Sequence, residues 1–359
     1  MNIVFVIATN KAGGAERVIV TLANYFAETG HNSYLINFDE NSSFYPVNSK
    51  VSFIKLSQKY PVLKKKHNAV TRELTIIRLL KKEFASIRPD VVIPFLFNAE
   101  FPVITVCRAK RIPCITSIRN SANAYPYYQR VYRKLNYPFL AGIVFQSDRV
   151  MNHSDFKRIK NKRVIMNPLS CGIIHDRSVI DRTKIISVGR LNKQKNHLLT
   201  IRAFEKIHES FPGLRLEIFG EGEEREELNR YITGNGLDGC VFLRGAVENA
   251  VQRNADARLY IMASDFEGFP NSLLEAMACH IPVVCSDFDS GIARYLIGND
   301  EFGYLFPVGA LEALEEKMLK ALSDFEGTES KADKAIEKCS AFEYHSIGRE
   351  WIEFIEQSI

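Results

Sequence analysis

The chain has 359 residues and a mass of 40.9 kDa, with 46% hydrophobic and 25% charged residues. That balance excludes disordered, collagenous and coiled-coil chains, and the length exceeds what one core commonly supports, so two domains are expected. The formal net charge of +5 conceals a division: residues 1–168 carry 26 Lys and Arg against 10 Asp and Glu, and residues 169–359 carry 21 against 32. So basic a first half calls for an anionic partner, whether membrane surface, nucleic acid or phosphorylated ligand.

The first apolar run, Ile3–Ala8, has no basic lead-in and no small-residue cleavage site behind it, so it reads as a strand and not a signal peptide. Thr9-Asn10-Lys11-Ala12-Gly13-Gly14-Ala15-Glu16-Arg17 follows, and Ala15–Glu28 carries Val18, Ile19, Leu22 and Phe26 at helical spacing. A Gly-Gly pair at a helix start lets an anion approach free N–H groups at the positive end of the dipole. A flexible strand-to-helix turn accounts for the same residues. The spacing is neither G-x-G-x-x-G nor a P-loop, which counts against a nicotinamide dehydrogenase or an ATPase.

Further strands are expected at Ser33–Phe38, Val51–Leu56, Val91–Leu96, Ile112–Ile118, Gly142–Gln146 and Val164–Met166. A helix at Arg72–Phe84 carries Leu74, Ile77, Leu80 and Phe84. Val91–Cys107 comes nearest to a membrane span, and Pro94, Asn98, Glu100 and Pro102 break it. Basic and aromatic residues gather at Lys64-Lys65-Lys66, Arg72, Arg78 and Lys81-Lys82, and again at Tyr125-Pro126-Tyr127-Tyr128, Arg130, Tyr132, Arg133 and Lys134. The mixture suits a membrane interface or a lipid headgroup, whereas a solvated helix face explains any one cluster alone.

Asn167–Thr183 contains Pro168 and Gly172 with little apolar periodicity, and reads as a linker. Strand and helix then alternate again: strands at Ile185–Val188, Leu214–Phe219, Val241–Leu243, Arg258–Met262, Pro282–Ser286 and Tyr304–Phe306, with helices such as Leu198–His208 and Glu224–Tyr231 between them. Phe342–Ile359 is an amphipathic helix. The expected organisation is a basic, membrane-facing domain at 1–168, a linker at 169–183 and a second domain at 184–341. The helix at 342–359 crosses back toward the first domain. The class is α/β: two Rossmann-like, doubly wound parallel-sheet domains, with ligands in the cleft at the carboxyl ends of both sheets.

Three strand ends in the second half carry candidate chemistry. Gly189-Arg190-Leu191 is followed by Lys193, Lys195 and Asn196; Arg190 and Lys195 can clamp a diphosphate, and a solvated basic loop is the plainer reading. Gly220-Glu221-Gly222 allows a tight turn, which by itself explains it. Ser264-Asp265-Phe266-Glu267-Gly268-Phe269-Pro270-Asn271-Ser272-Leu273-Leu274-Glu275 joins a Gly/Pro loop to a helix start, giving N–H groups for phosphate and carboxylates for sugar hydroxyls. Ser272-x-x-Glu275 also fits a capping box, which explains Glu275 but not Glu267. Asp287-Phe288-Asp289 sits before Ser290-Gly291 and reads as a turn, not a metal motif. The seven cysteines form no Cys-x-x-Cys pair and fit a reducing cytoplasm.

Taken in order, Gly13-Gly14-Ala15-Glu16-Arg17, Gly189-Arg190-Leu191 with Lys195-Asn196, Gly220-Glu221-Gly222, and Glu267-Gly268-Phe269-Pro270 through Glu275-Ala276 resemble the retaining GT-B glycosyltransferases of family 4, over nearly the whole chain. Ser117-Ile118-Arg119-Asn120, Phe145-Gln146-Ser147, Asn167-Pro168 and Asp287 to Gly291 resemble the branch that builds bacterial surface glycans on polyprenyl-diphosphate lipid. The resemblance implies a hexose or N-acetylhexosamine moved from a UDP-sugar to a lipid-linked saccharide at the cytoplasmic membrane face, on an anionic surface, with no nucleic acid and no metal, 1–168 being the acceptor domain and 184–341 the nucleotide-sugar donor domain. It implies that Gly13 and Gly14 approach the donor diphosphate, that Gly220 and Gly222 lie at the donor, and that Arg190 and Lys195 neutralise the leaving group. Glu275 then meets the ribose, Glu267 the transferred sugar, and Asn271 and Leu274 the phosphate. Arg119 stands where many relatives carry a His, and orients the donor sugar or binds acceptor phosphate. Arg294 stands where many carry a Glu. Retention is what the resemblance implies, and with no enzymic nucleophile identified the expected route is front-face substitution, with the β-phosphate taking the acceptor proton. A sugar-nucleotide epimerase and a non-catalytic membrane or nucleic-acid binding module are the alternatives.

Overall fold

The computed structural model describes residues 1–9, 13–39, 43–64, 68–119, 126–170, 172–174 and 180–359. Of the residues singled out above, Asn10, Lys11, Ala12, Lys65, Lys66, Asn120, Tyr125, Cys171 and the side chain of Lys64 lie outside that description. The chain divides into two units, Met1–Ser170 with Tyr344–Ile359, and Cys171–Glu343.

The first unit runs β1 (Asn2–Ile7), α1 (Gly14–Glu28), β2 (Asn32–Asn37), β3 (Ser52–Lys55), α2 (Leu56–Lys59), α3 (Ala69–Ile87), β4 (Val91–Phe95), α4 (Phe97–Lys110), β5 (Ile115–Ser117), α5 (Tyr127–Asn136), β6 (Gly142–Phe145), α6 (Asp148–Met151) and β7 (Lys162–Val164). Its seven strands are all parallel in the order β3-β2-β1-β4-β5-β6-β7. Alternation in β1 sorts the two faces: Val4 and Val6 pack with α3 and α4, while Ile3, Phe5 and Ile7 pack with α1. Burial on both sides is why these strands read as unbroken apolar runs.

The second unit runs β8 (Asp181–Val188), α7 (His197–Ile207), β9 (Arg215–Phe219), α8 (Arg225–Gly234), β10 (Val241–Gly245), β11 (Ala257–Met262), α9 (Asn271–Ala278), β12 (Val283–Ser286), α10 (Ile292–Ile297), β13 (Tyr304–Phe306), α11 (Leu311–Ser323) and α12 (Phe325–Cys339). Its six parallel strands take the order β10-β9-β8-β11-β12-β13. The last helix, α13 (Tyr344–Ser358), belongs to the first unit, where Trp351, Phe354 and Ile355 are buried against the α1 face. Gly348 is obligatory there, since a Cβ would lie 2.4 Å from the Tyr25 ring.

Every strand expected from the sequence is present, with shifted ends. Ile112–Ile118 contracts to β5, Val164–Met166 moves to β7, and Leu56 starts α2 instead of ending β3. The first strand of the second unit begins at Asp181, inside the segment expected to be linker. Polar residues concealed it. Asp181 accepts from the Thr183 hydroxyl at 2.7 Å and pairs with Arg215 on β9, a network that replaces apolar alternation.

Charge is gathered by face in the first unit. The helices α3, α4 and α5 carry nine Lys and Arg against three acidic residues, whereas α1 and α13 carry two against five. α3, α4, Tyr132 of α5 and Tyr137 just after it pack into the core on one face of the sheet, and α1 and α13 into that on the other.

Candidate active site

In an open parallel sheet, ligands sit outside the carboxyl ends of the strands where the strand order reverses. In the second unit that point lies between β8 and β11. The segment after β8 carries Arg190 and Lys195, and the segment after β11 carries Glu267. Lys195 Nζ lies 2.6 Å from Glu267 Oε1, with the side chains only 15% and 10% exposed. Two residues 72 apart in sequence thus form one cation–carboxylate pair. Arg190, five residues before Lys195 in the same segment, is exposed.

Backbone and side-chain bonds fasten the two segments together. Asp265 N–H donates to the Gln194 carbonyl at 2.8 Å, Gln194 Nε2 donates to the Phe266 carbonyl at 2.9 Å, and Asn196 Nδ2 donates to Asp265 at 3.0 Å. Asn196 is left-handed (φ 47°) and caps α7, accepting from Leu199 N–H. Its position explains the Lys-Asn step: the chain turns there from the lysine into the helix.

Gly220 and Gly222 are shaped by the neighbouring turn. A Cβ on Gly220 would lie 1.8 Å from the Gly189 carbonyl oxygen, and one on Gly222 2.1 Å from that of Leu191. Leu191 N–H donates to the Glu221 carbonyl and Glu224 N–H to that of Leu191, each at 3.0 Å. The turn that presents Arg190 is therefore held by backbone contact with the one after β9, which only glycines permit.

Helix α9 begins at Asn271, with Pro270 at its N-cap, so Ser272 lies inside the helix and the capping box does not form. The Ser272 hydroxyl donates instead to the Val188 carbonyl at 3.2 Å and accepts from Tyr260 at 2.8 Å, tying α9 to the end of β8. Glu275 is thereby freed from the capping explanation. It is buried one turn into α9. Burial pushes the Tyr260 phenol up, and the charges of Cys285, Glu275 and Glu267 add to that push while the bond to Ser272 opposes it. Leu274 is a core side chain whose N–H donates to the Pro270 carbonyl at 3.1 Å, and Asn271 N–H donates to that of Phe269 at 3.1 Å.

His197, which the sequence reading passed over, is buried beneath the same turn, with Nδ1 3.4 Å from Ser187 Oγ. Burial, reinforced by the Lys195 charge, pushes its imidazole down to about 4, so it is neutral at physiological pH. Its place directly after Lys195-Asn196 at a helix start was the available signal.

The first unit holds the remaining candidates at the carboxyl ends of its own strands. Gly13 is the N-cap of α1, and its N–H donates to the Tyr45 hydroxyl at 3.2 Å. A Cβ there would meet Glu16 Oε2 at 2.2 Å, so the Glu16 carboxylate lies over the helix start where an anion is favoured. Gly14 is the first residue of that helix. Arg119 follows β5, its guanidinium 4.1 Å from the Phe95 ring centroid and bonded to Asn167. Asp287 pairs with Arg294, which gives the latter a structural partner at the turn. Among the described residues, no group of three or more His, Cys, Asp or Glu side chains is placed to hold a metal ion.

Two doubly wound units, with cations and carboxylates gathered at strand ends, fit a two-domain glycosyltransferase, and the comparisons show that class. Residues 12–158 match the model described as Glycosyltransferase Family 4, and residues 174–338 that of Glycosyl transferases group 1. An undecaprenol-diphosphate-linked N-acetylgalactosamine transferase of Campylobacter jejuni, named as GalNAc-alpha-(1->4)-GalNAc-alpha-(1->3)-diNAcBac-PP-undecaprenol alpha-1,4-N-acetyl-D-galactosaminyltransferase, is 29% identical over 99% of both chains. A second from that organism, N-acetylgalactosamine-N,N'-diacetylbacillosaminyl-diphospho-undecaprenol 4-alpha-N-acetylgalactosaminyltransferase, is 30% identical over 96% of both. In fold, the chain matches TarM of S. aureus with a TM-score of 0.81 at 14% identity, covering 99% of this chain and 100% of that one. It matches HepE of Anabaena, solved with UDP and glucose, with a TM-score of 0.77 at 18% identity, covering 99% of each. The chain belongs to the family 4 glycosyltransferases of the GT-B fold.

Proposed function

We propose that the chain moves a hexose or N-acetylhexosamine, with retention, from a UDP-sugar to a polyprenyl-diphosphate-linked saccharide at the cytoplasmic face of a membrane, without a metal ion. The observation that carries this reading is the Lys195–Glu267 pair at the strand-order reversal of the second unit. A lysine there neutralises the departing UDP diphosphate together with Arg190, and a carboxylate there accepts from hydroxyls of the transferred sugar. Glu275 serves the ribose hydroxyls. Two relatives whose names specify undecaprenyl-diphosphate acceptors, similar over nearly the full chain, support the acceptor class. The test is incubation of the full chain with a panel of UDP-sugars and lipid-diphosphate saccharides, read by product mass. A glycolipid one sugar longer plus UDP is expected; conversion of donor without acceptor would identify an epimerase instead.

The membrane part of the proposal rests on α5. The helix is inverted: Arg133 is 4% exposed, while Tyr127 and Leu135 are 80% and 65% exposed, with Tyr128 and Val131 beside them. An exposed apolar stripe flanked by Arg130 and Lys134 is what an interfacial helix needs. Among the described residues no helix is long and apolar enough to cross a membrane. Sedimentation with phosphatidylglycerol vesicles should recover the chain, and V131E with L135E should lower the partition coefficient at least about tenfold, since each buries a charge at the interface. Unchanged partitioning would remove α5 from the interface.

A further inference from the structure

Asn167 and Gln146 have no part in the roles given above, yet they meet at Arg119. The three residues come from three loops at one sheet end: Arg119 after β5, Gln146 after β6 and Asn167 after β7. Arg119 Nη1 and Gln146 Nε2 both donate to the single oxygen Asn167 Oδ1. Asn167 and Gln146 are each 3% exposed, and Phe95, at the end of β4, underlies the guanidinium as a fully buried ring. The Phe95 ring beneath the guanidinium and the carboxamide bonded to its Nη1 restrain it from two sides, so its direction is restrained before any ligand arrives. A neutral carboxamide does this where a carboxylate would cancel the charge. Gln146 in turn fixes the Asn167 amide, since its donor selects which end of that amide is the oxygen.

We infer that Asn167 and Gln146 are positioning residues that aim the Arg119 guanidinium at a phosphate group of a co-substrate. This rests on the transferase reading above, in which both co-substrates carry a diphosphate. Because the residues act through Arg119, their loss and its loss should not add.

The test is a double-mutant cycle of N167A and R119M in the full chain, with Q146A alongside. Two quantities are read: kcat and KM for each co-substrate, and affinity for inorganic pyrophosphate by calorimetry. R119M and N167A are each expected to lower kcat/KM for the same co-substrate by about 10- to 100-fold and to weaken pyrophosphate binding. Q146A should do so more weakly, and the double variant should be no worse than R119M alone. A rise in donor KM places the phosphate on the nucleotide, and a rise in acceptor KM places it on the lipid diphosphate. Full additivity of N167A and R119M would overturn the inference, as would unchanged pyrophosphate affinity in R119M. Absence of turnover in the wild-type chain would count against the transferase reading alone, because the pyrophosphate cycle stands without it.

Discussion

K195A is expected to lower kcat by about 100- to 1,000-fold, the loss usual when one preorganised charge is removed from a developing leaving group. Lys195 and Glu267 are 2.6 Å apart and largely out of solvent, so each compensates the other. Under the proposed function, a donor diphosphate reaching Lys195 would share the ammonium with Glu267 and leave that carboxylate available to sugar hydroxyls. Two consequences follow from that exchange. E267Q removes the competing anion, so UDP itself should bind a few-fold more tightly while turnover with the UDP-sugar falls. K195A leaves Glu267 buried without its cation and should also cost stability, about 1–3 kcal/mol. The double variant K195A with E267Q should recover that stability and none of the turnover. Calorimetric UDP binding, steady-state kinetics and thermal melts read the three quantities separately. Turnover restored in the double variant would show that Lys195 acts only on the fold.

The parallel sheets were legible because strands buried on both faces are written as short apolar runs. Helices were legible where one face is dry and the other wet, as in α1; in α3 the element was legible but its face was not, since Ile76, Leu79, Leu80 and Phe84 are buried and the expected Leu74 is 61% exposed. Two were not. α4 buries Ala99, Glu100, Pro102, Val103, Ile104, Val106 and Cys107, which leaves little periodicity to read and puts a proline inside the helix. α5 turns a charge inward and apolar groups outward, so it registered only as a mixed basic and aromatic cluster. The candidate site shows the same limit. Motif order marked Arg190, Lys195, Glu267 and Glu275, yet the Lys195–Glu267 pair exists only because β8 and β11 are sheet neighbours while distant in the chain. Local pattern alone also misassigned Ser272 to a cap, since nothing nearby announces that Tyr260 and the Val188 carbonyl will take its hydroxyl. Side chains that bond across strands are hidden from a reading along one strand.

E100A is expected to destabilise the first unit by about 3–5 kcal/mol, the cost of stripping the carboxylate from a buried ion pair. Glu100 stands in the first turn of α4 and is 1% exposed. Its carboxylate accepts from the Thr116 hydroxyl at 2.9 Å, the Tyr137 hydroxyl at 2.8 Å and Arg133 Nη2 at 3.3 Å. It thus joins α4 to β5 and to α5 and its continuation, and the inward turn of Arg133 is what leaves the apolar stripe of α5 facing out. The single tryptophan of the chain, Trp351, is buried in this same unit, so its fluorescence during urea unfolding reports the first unit selectively. The ion pair itself is not required for stability: E100M with R133M replaces it by apolar side chains of similar length and should recover part of the E100A loss, the remainder persisting because the Thr116 and Tyr137 hydroxyls lose their acceptor. What the apolar pair cannot supply is direction, because a methionine is content on either side of α5. The double variant should therefore fold yet bind anionic vesicles more weakly than the parent. If its vesicle affinity equals the parent's, the ion pair has no part in orienting the helix; if E100A unfolds at the parent's midpoint, the pair does not hold the unit together.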